Sequence, residues 1–393
     1  MSGISEGQTH ASRELGSGMY LKTGDPGMGG GGTYTNTGNE TTLQQYENIF
    51  GPAGRDIKLD QQRHKRHQRW HLPDALKGHN QYLTDRIDGL ITDATTNPLF
   101  VAQAGTSGDA RYVAFVDKAI AYAKANAKGK DVVTLAMDRL AVELGLEIVK
   151  LVPGYVSTEV DIRASFDTAE SVRRARAIIA MYEAEGVDRS RVLVKLAATW
   201  EGIQACRELE KDGITCNLTL VFGFEQGVAA AQAGARLISP FPGRVKDWFM
   251  ANGGSATYEP DEDPGVLVVR RIYEYYKRHG HGTICMPASW RPSRGTSDPA
   301  FAVDEILALA GTDRMTIPPP LLELLASSEA TVPRKLEPQQ AAAACADAEL
   351  VYDKSSFRLA MIADVAATTK LAEGMNAFIA ETAKLQAAIE AKV

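Results

Sequence analysis

The run Val192-Leu193-Val194-Lys195-Leu196-Ala197-Ala198 sets a single lysine inside an otherwise apolar stretch. Period-two alternation places Lys195 on the face opposite Val194 and Leu196. If that face is the inside of a barrel, desolvation disfavours the ammonium and favours the neutral amine. A neutral amine is the form that attacks a carbonyl to make a Schiff base. Taken alone, the segment is read more simply as a lysine at a barrel mouth held by a carboxylate.

The surroundings of this strand repeat one design. The helix expected over Glu201–Lys211 carries Ile203, Cys206 and Leu209 at three-residue spacing with charges between. Further short apolar runs mark strands at Gly89–Thr92, Ile148–Val152 with a continuation to Glu159, Cys216–Phe222, Ala235–Ser239, Thr283–Pro287 and Arg314–Pro318. Helical patterns separate them at Ala169–Glu185, Phe224–Ala233 and Pro264–Arg278. Repeated β-α units of this length imply parallel strands with helices outside. Seven such strands with one uncertain partner point to an α/β fold, a (β/α)8 TIM barrel. A doubly wound sheet fits the pattern less well, since no GxGxxG opens a helix after a strand. Leu321–Ser327 and two long Ala-rich helices, Pro338–Ala348 and Ser355–Lys392, follow the last strand. They either cover the barrel or pack on a partner, a second copy of the chain (a homodimer) included.

Polar residues collect at the C-terminal ends of these strands, the face on which barrels build active sites. Glu159 ends the run Val152–Asp161, where a carboxylate relays protons through water or forms an ion pair. In Cys216-Asn217-Leu218-Thr219-Leu220, Asn217 and Thr219 share one face and Leu218 and Leu220 the other. Two inward polar groups bind hydroxyls or hold a water; a satisfied polar layer accounts for them equally well. Ser239-Pro240-Phe241-Pro242-Gly243-Arg244 ends a strand with a hydroxyl, a turn and an arginine, and Ala288-Ser289-Trp290-Arg291 repeats that order one strand later. Two arginines with hydroxyls at neighbouring strand ends form a candidate phosphate clamp, because guanidinium matches phosphate in bidentate geometry. Asn97, held out of the helical region by Pro98, is placed to turn its amide into the mouth.

The first 70 residues differ in character. Residues 1–50 are rich in Gly, Ser, Thr and Asn, with five glycines between Gly27 and Gly32, a composition that cannot bury enough apolar surface to offset its ordering entropy. A basic run, Arg63-His64-Lys65-Arg66-His67-Gln68-Arg69-Trp70-His71, follows. It reads as a solvated helix or loop, as an arm that docks on an acidic protein partner, or, least economically, as a metal site from His64, His67 and His71. The chain is therefore divided into a Gly-rich and basic extension over 1–70 and a barrel domain with its C-terminal helices over 71–393. The chain has 393 residues, is 44% hydrophobic and carries a net charge of −6, which argues against nucleic-acid binding by the whole chain. Its four cysteines (Cys206, Cys216, Cys285, Cys345) show no ligand spacing, so a reduced intracellular compartment, the cytoplasm by default, is expected. No apolar run is long enough to span a membrane. The N-terminus has neither the apolar core of a secretory signal nor the arginine-rich, acid-poor make-up of a transit peptide: acids from Glu6 to Glu47 interrupt it, and Arg13 is its one arginine before Arg55.

Together, Asp93–Pro98, Leu151–Asp161, Leu193–Trp200, Cys216–Leu220 and Leu237–Arg244 resemble, in order and in spacing, the motifs of the transaldolase family, and the likeness extends to Lys370-Leu371-Ala372-Glu373-Gly374 in the last helix. The resemblance implies transfer of a dihydroxyacetone unit from sedoheptulose 7-phosphate to glyceraldehyde 3-phosphate, a step of the pentose phosphate pathway. It implies Lys195 as the imine-forming amine and Glu159 and Thr219 as the groups that handle water and protons. Asn97, Asn217 and Ser239 would hold the donor's hydroxyls, and Arg244, Ser289 and Arg291, with Phe241 beside them, the phosphate. The imine serves as electron sink, so neither a metal nor an organic cofactor is implied.

Three departures stand out. The family's first strand ends in a catalytic aspartate; here its register falls on His79, and Asp74 takes the role only if residues are inserted, with Pro73 a poor residue for a strand interior. Pro287 stands where the family usually has glycine, and an insertion near Pro292–Phe301 follows Arg291. Loss of one positioned acid or base costs about two to four orders of magnitude in rate. A transaldolase-derived structural protein, docked into an assembly by its arm, is therefore the alternative, and an aldolase that cleaves without transferring a third reading.

Overall fold

The computed structural model describes residues 91–127, 131–328 and 330–393, with the backbone of one further strand, β1, at Glu47–Phe50. All of them belong to the unit Thr41–Val393. The basic run at 63–71, Asp74, His79 and the boundary between residues 70 and 71 lie outside the described residues.

Seven strands follow β1: β2 (Ile91–Thr95), β3 (Val156–Glu159), β4 (Val192–Ala197), β5 (Cys216–Val221), β6 (Leu237–Pro240), β7 (Ile284–Cys285) and β8 (Met315–Ile317). They form one eight-stranded sheet in the order β7-β6-β5-β4-β3-β2-β1-β8. Neighbours from β2 to β7 are all parallel. The two ends of the sheet meet: Arg314 N donates to Cys285 O at 3.3 Å and Thr316 N to Pro287 O at 3.0 Å. The result is the expected TIM-barrel-like ring, with one departure. β1 runs antiparallel to both neighbours, with Asn48 opposite Ala94 on one side and Ile317 on the other. Its backbone groups complete the ladders of β2 and β8, whose edges would otherwise stand unpaired.

Parallel neighbours need crossovers, and helices supply them. Three helices, α1 (Pro98–Thr106), α2 (Ala110–Asn126) and α3 (Val132–Val149), join β2 to β3. Single crossover helices follow at α4 (Thr168–Ala184), α5 (Trp200–Lys211) and α6 (Phe224–Gln232), then α7 (Pro242–Ala251) and α8 (Pro264–Arg278) together join β6 to β7. The start of each main helix is written in its cap: Asp131, Asp167, Thr199 and Asp263 each accept a backbone N–H of the first turn. α9 (Asp304–Ala308) precedes β8, and α10 (Pro319–Ser327), α11 (Pro338–Ala344), α12 (Lys354–Ala363) and α13 (Val365–Glu390) follow it.

Two expected elements are corrected. Ile148 and Val149 end α3 rather than starting a strand, and β3 begins only at Val156. Buried Leu140, Leu144 and Ile148 recur at helical spacing, so the apolar run continues the helix to Val149, and Pro153-Gly154 falls in the turn before β3. Gly154 is required there because a Cβ would meet the Asp93 carboxylate and Thr92 O. The single helix expected over Ser355–Lys392 is two, parted at Asp364, whose carboxylate caps α13 by accepting from Ala367 N at 2.9 Å.

The inside of the barrel is layered as period two demands. Leu193, Leu237 and Met286 pack together with Tyr155 and Ile284. Lys195, Ser239 and Ser157 stand two positions further along β4, β6 and β3, so they face the same interior one layer higher. The opposite faces of the strands meet the helices, as Thr158 does through a 2.6 Å hydrogen bond with the buried Tyr182 hydroxyl of α4. Burial pushes that phenol well above its ordinary value.

Candidate active site

Register brings the central residues together. Glu159, Lys195 and Asn217 are paired side by side across β3, β4 and β5, and Ala197 pairs with Thr219. The Lys195 ammonium lies 3.3 Å from Glu159 Oε2, with 3% and 4% of the two side chains exposed. It also donates to Thr96 O at 3.2 Å. A carboxylate that close can take a proton from the amine or return one to it.

Beside the lysine runs a chain of hydroxyls and amides. Asn217 donates to Ser157 Oγ at 3.2 Å, and Ser239 donates to Asn217 Oδ1 at 2.9 Å. The chain orients the Asn217 amide and points three polar groups at the interior above the apolar layer. Thr219 Oγ1 is buried and bonded by no protein atom, which suits it to hold a water. Just past it, Leu220 takes φ 57°, a left-handed conformation that a leucine holds only when its surroundings impose it. Gln226 imposes it: fully buried, it donates to Leu220 O at 2.9 Å and Ala198 O at 3.0 Å and accepts from Phe222 N at 2.8 Å.

Asn97 lies at the mouth but its carbonyl is committed. Its Oδ1 caps α1 by accepting from Phe100 N at 2.9 Å, which orients the amide at the helix start. Asn97 and Glu159 line one small cavity with Asp161, Arg174, Thr382 and Leu385. Burial would raise the Asp161 carboxyl, but the hydrogen bonds from Arg163 and the charge of Arg174 hold it below its usual range.

The expected phosphate residues gather on the neighbouring side. Arg244 Nε lies 3.3 Å from Ser289 Oγ, and its guanidinium stands 5.0 Å from the centre of the Phe241 ring. Gly243 allows this closeness, since a Cβ there would meet Arg291 Cγ at 2.6 Å and Arg291 N at 2.8 Å. Arg291 itself is turned to Asp247, 3.1 Å away, one turn along α7 from Arg244. The two arginines thus flank one helix start. Helix α13 crosses this side: at Gly374 a Cβ would lie 3.5 Å from Arg244 Nη1 and 2.9 Å from Leu220.

Several contributors were not singled out from sequence. Thr96 and Ser157 bond the lysine and the asparagine, and Ser157 was findable as the inward residue two before Glu159. Asp93 and Arg314 form an ion pair at 2.9 Å at the foot of the ring, with Asp93 fully buried and also accepting from Tyr155 N at 2.5 Å. No local pattern signals that pair, which joins strands distant in sequence. The fold also brings together cysteines that the sequence scatters: Cys206, Cys216 and Glu210 place ligand-type atoms within 4.8 Å of one another. Glu210 acts there as a brace, accepting from Cys216 N and Arg236 N, each at 2.8 Å.

Comparison with known proteins agrees with this geometry. The family profile described as Transaldolase/Fructose-6-phosphate aldolase matches residues 77–389. The chain is 49% identical over 294 residues to the transaldolase of Cellvibrio japonicus, covering 75% of this chain and 88% of that one. It is 47% identical over 304 residues to the transaldolase of Saccharomyces cerevisiae, covering 77% and 87%. To the transaldolase of Actinobacillus succinogenes it is 46% identical over 306 residues, covering 77% and 90%. With a lysine and a glutamate paired on neighbouring parallel strands inside the barrel and this extent of likeness, the chain belongs to the transaldolase/fructose-6-phosphate aldolase family.

Proposed function

We infer that this protein is a transaldolase, a transferase that moves a dihydroxyacetone unit between sugar phosphates, from sedoheptulose 7-phosphate to glyceraldehyde 3-phosphate. The observation that carries the reading is the buried Lys195–Glu159 pair at 3.3 Å, set among Asn217, Ser239 and Thr219. Lys195 attacks the ketone carbon as a neutral amine, its proton passing to Glu159. Loss of the carbonyl oxygen as water gives the imine, with Thr219 holding that water and Glu159 supplying the proton. The protonated imine at C2 of the ketose draws in the electrons of the C3–C4 bond, which breaks as a base takes the proton of the C4 hydroxyl. The aldose leaves, and the enamine left on Lys195 adds to the aldehyde of the acceptor in the reverse sense. Asn217, Ser239 and the NH2 of Asn97 hold the donor's hydroxyls; Arg244, Arg291 and Ser289 hold the phosphate with Phe241 beside it. Asp74 is the candidate for the base, and it lies outside the described residues.

All four cysteines are free, which supports a reducing compartment and a cytoplasmic enzyme. No helix among the described residues is long and apolar enough to cross a membrane. Residues 1–70 are proposed to carry a docking role for a protein partner; because Glu47–Phe50 is a strand of the sheet, the test deletes residues 1–40 alone, which is expected to leave turnover intact and remove any partner that co-purifies, and unchanged co-purification would refute that role for this stretch.

The test of the reaction is the acceptor requirement. Fructose 6-phosphate and erythrose 4-phosphate are expected to form from sedoheptulose 7-phosphate only when glyceraldehyde 3-phosphate is present. Release of free dihydroxyacetone at a comparable rate without acceptor would make the protein an aldolase instead.

A further inference from the structure

The loop after β7, Ser289–Arg294, is gripped from beneath by acids that the imine chemistry does not use. Glu305 of α9, fully buried, accepts the backbone N–H of Arg291 at 2.7 Å. Asp263, the cap of α8, accepts from Ser293 Oγ at 2.8 Å while also holding Gly265 N at 2.9 Å. Asp304 takes the Arg294 N–H at 3.1 Å and two bonds from its guanidinium. Lys246 of α7 donates to Pro292 O, and Tyr258 N donates to Ser293 O at 2.9 Å. Every residue from Arg291 to Arg294 is thus tied to an element outside the loop.

Glu305 differs from the other two acids. One of its oxygens, Oε1, is buried without any hydrogen-bond partner, a costly arrangement if the side chain served only to satisfy one amide. What it holds is the backbone of Arg291, one of the residues assigned to the phosphate. Arg291 N lies against the first turn of α7 at Gly243, so the loop has little freedom to slide along the helix. Ser289, two residues earlier, takes φ 65°, a left-handed conformation its surroundings enforce.

We propose that Glu305 is a positioning residue for phosphate binding: by fixing the Arg291 backbone against the start of α7, it sets where the Arg291 guanidinium meets the phosphate of the substrate. The inference rests on the assignment of Arg244 and Arg291 to phosphate. Its electrostatics suit the role. Burial first, and then the charge of Asp263, push the Glu305 carboxyl well above its usual range, against the Arg291 N–H and the charges of Arg291 and Lys246. A carboxyl whose ionisation is disfavoured in this way keeps the amide in place while carrying less negative charge beneath the assigned anion site.

The experiment compares Glu305→Leu, Glu305→Gln and Arg291→Ala with the unaltered full chain on fructose 6-phosphate and on unphosphorylated fructose as donors. Misplacing a binding group by about an ångström costs up to roughly a hundredfold. Glu305→Leu is expected to raise KM for fructose 6-phosphate roughly ten- to hundredfold with little change in kcat, and to leave the fructose reaction unchanged. Glu305→Gln, which keeps an acceptor of the same reach, is expected to behave as the unaltered protein on both donors. If Glu305→Leu does not fold, Glu305→Asp, which withdraws the acceptor by one methylene, takes its place. If Arg291→Ala shows no loss confined to the phosphorylated donor, the phosphate assignment fails and this inference with it. If Arg291→Ala shows that selective loss but the Glu305 variants affect both donors alike, or neither, the inference alone is overturned.

Discussion

The two sides of this mouth are built in different ways. The imine side is a product of sheet register: Glu159, Lys195 and Asn217 lie side by side because three parallel strands are paired, and the layer of Leu193, Leu237 and Met286 beneath them fixes their height. The side assigned to phosphate stands on a helix start and a loop, and its geometry is set by buried acids, a glycine that lets Arg291 approach, and a serine in a left-handed conformation. Regular hydrogen-bond ladders make the first side robust. The second depends on a handful of side chains, so single substitutions there should alter affinity while those on the first side alter chemistry.

The largest expected effect is loss of the nucleophile. Lys195→Met should abolish transfer while leaving the fold and the phosphate side intact. Equilibrium binding of a sugar phosphate would check the second half, and lost binding would show that the two sides are not separable. Next comes Glu159→Gln, expected to lower kcat by about two to four orders of magnitude, as for other positioned acids and bases. A change confined to KM would remove Glu159 from the chemistry. Arg244→Ala should weaken binding of the phosphorylated donor by about 1.5–3 kcal/mol, the range for a hydrogen bond to a charged group, seen as a rise in KM with kcat nearly unchanged. A fall in kcat alone would mean that the arginine acts on the reacting carbons.

Two smaller effects concern the supports. Gln226→Ala leaves Leu220 O and Ala198 O short of a donor and should cost about 1–3 kcal/mol of stability per unsatisfied buried group, measured by denaturant unfolding. Equal stability would show that Leu220 holds its left-handed conformation unaided. Glu305 predicts a pH trend. Its carboxyl is raised in the folded protein, so above its ordinary value of 4.5 the unfolded chain gives up a proton that the fold retains, and stability falls as pH rises toward the folded pKa. In Glu305→Gln that contribution is gone, so Tm of the variant should gain on that of the unaltered protein as pH rises from acid to neutral. A gap independent of pH would contradict a carboxyl raised by the fold.

The same contrast explains what could be read from the chain. The imine side was legible because alternation along Val192–Ala198 and Cys216–Leu220 states which residues share a face, and the structure brings Lys195, Glu159, Asn217, Thr219 and Ser239 into one neighbourhood. The start of β3 was misread because Ile148–Val152 is apolar both as the end of a helix and as a strand, and only the helical spacing back to Leu140 separates the two. On the phosphate side, Arg244 and Ser289 could be anticipated as neighbours, whereas the turn of Arg291 toward Asp247 and the grip of Glu305 could not. Those contacts join residues whose separation in sequence carries no period. Asn97 shows a milder form of the same limit, because one amide both caps a helix and faces a site. The antiparallel β1 has no periodic signature, being only four residues long.

The most direct test of the central claim is chemical. Reduction with borohydride in the presence of fructose 6-phosphate, followed by peptide mass analysis, should leave a dihydroxyacetone-derived or whole-sugar adduct on Lys195 and on no other lysine. An adduct on a different lysine, or none while transfer activity is present, would contradict a Schiff-base centre at this residue.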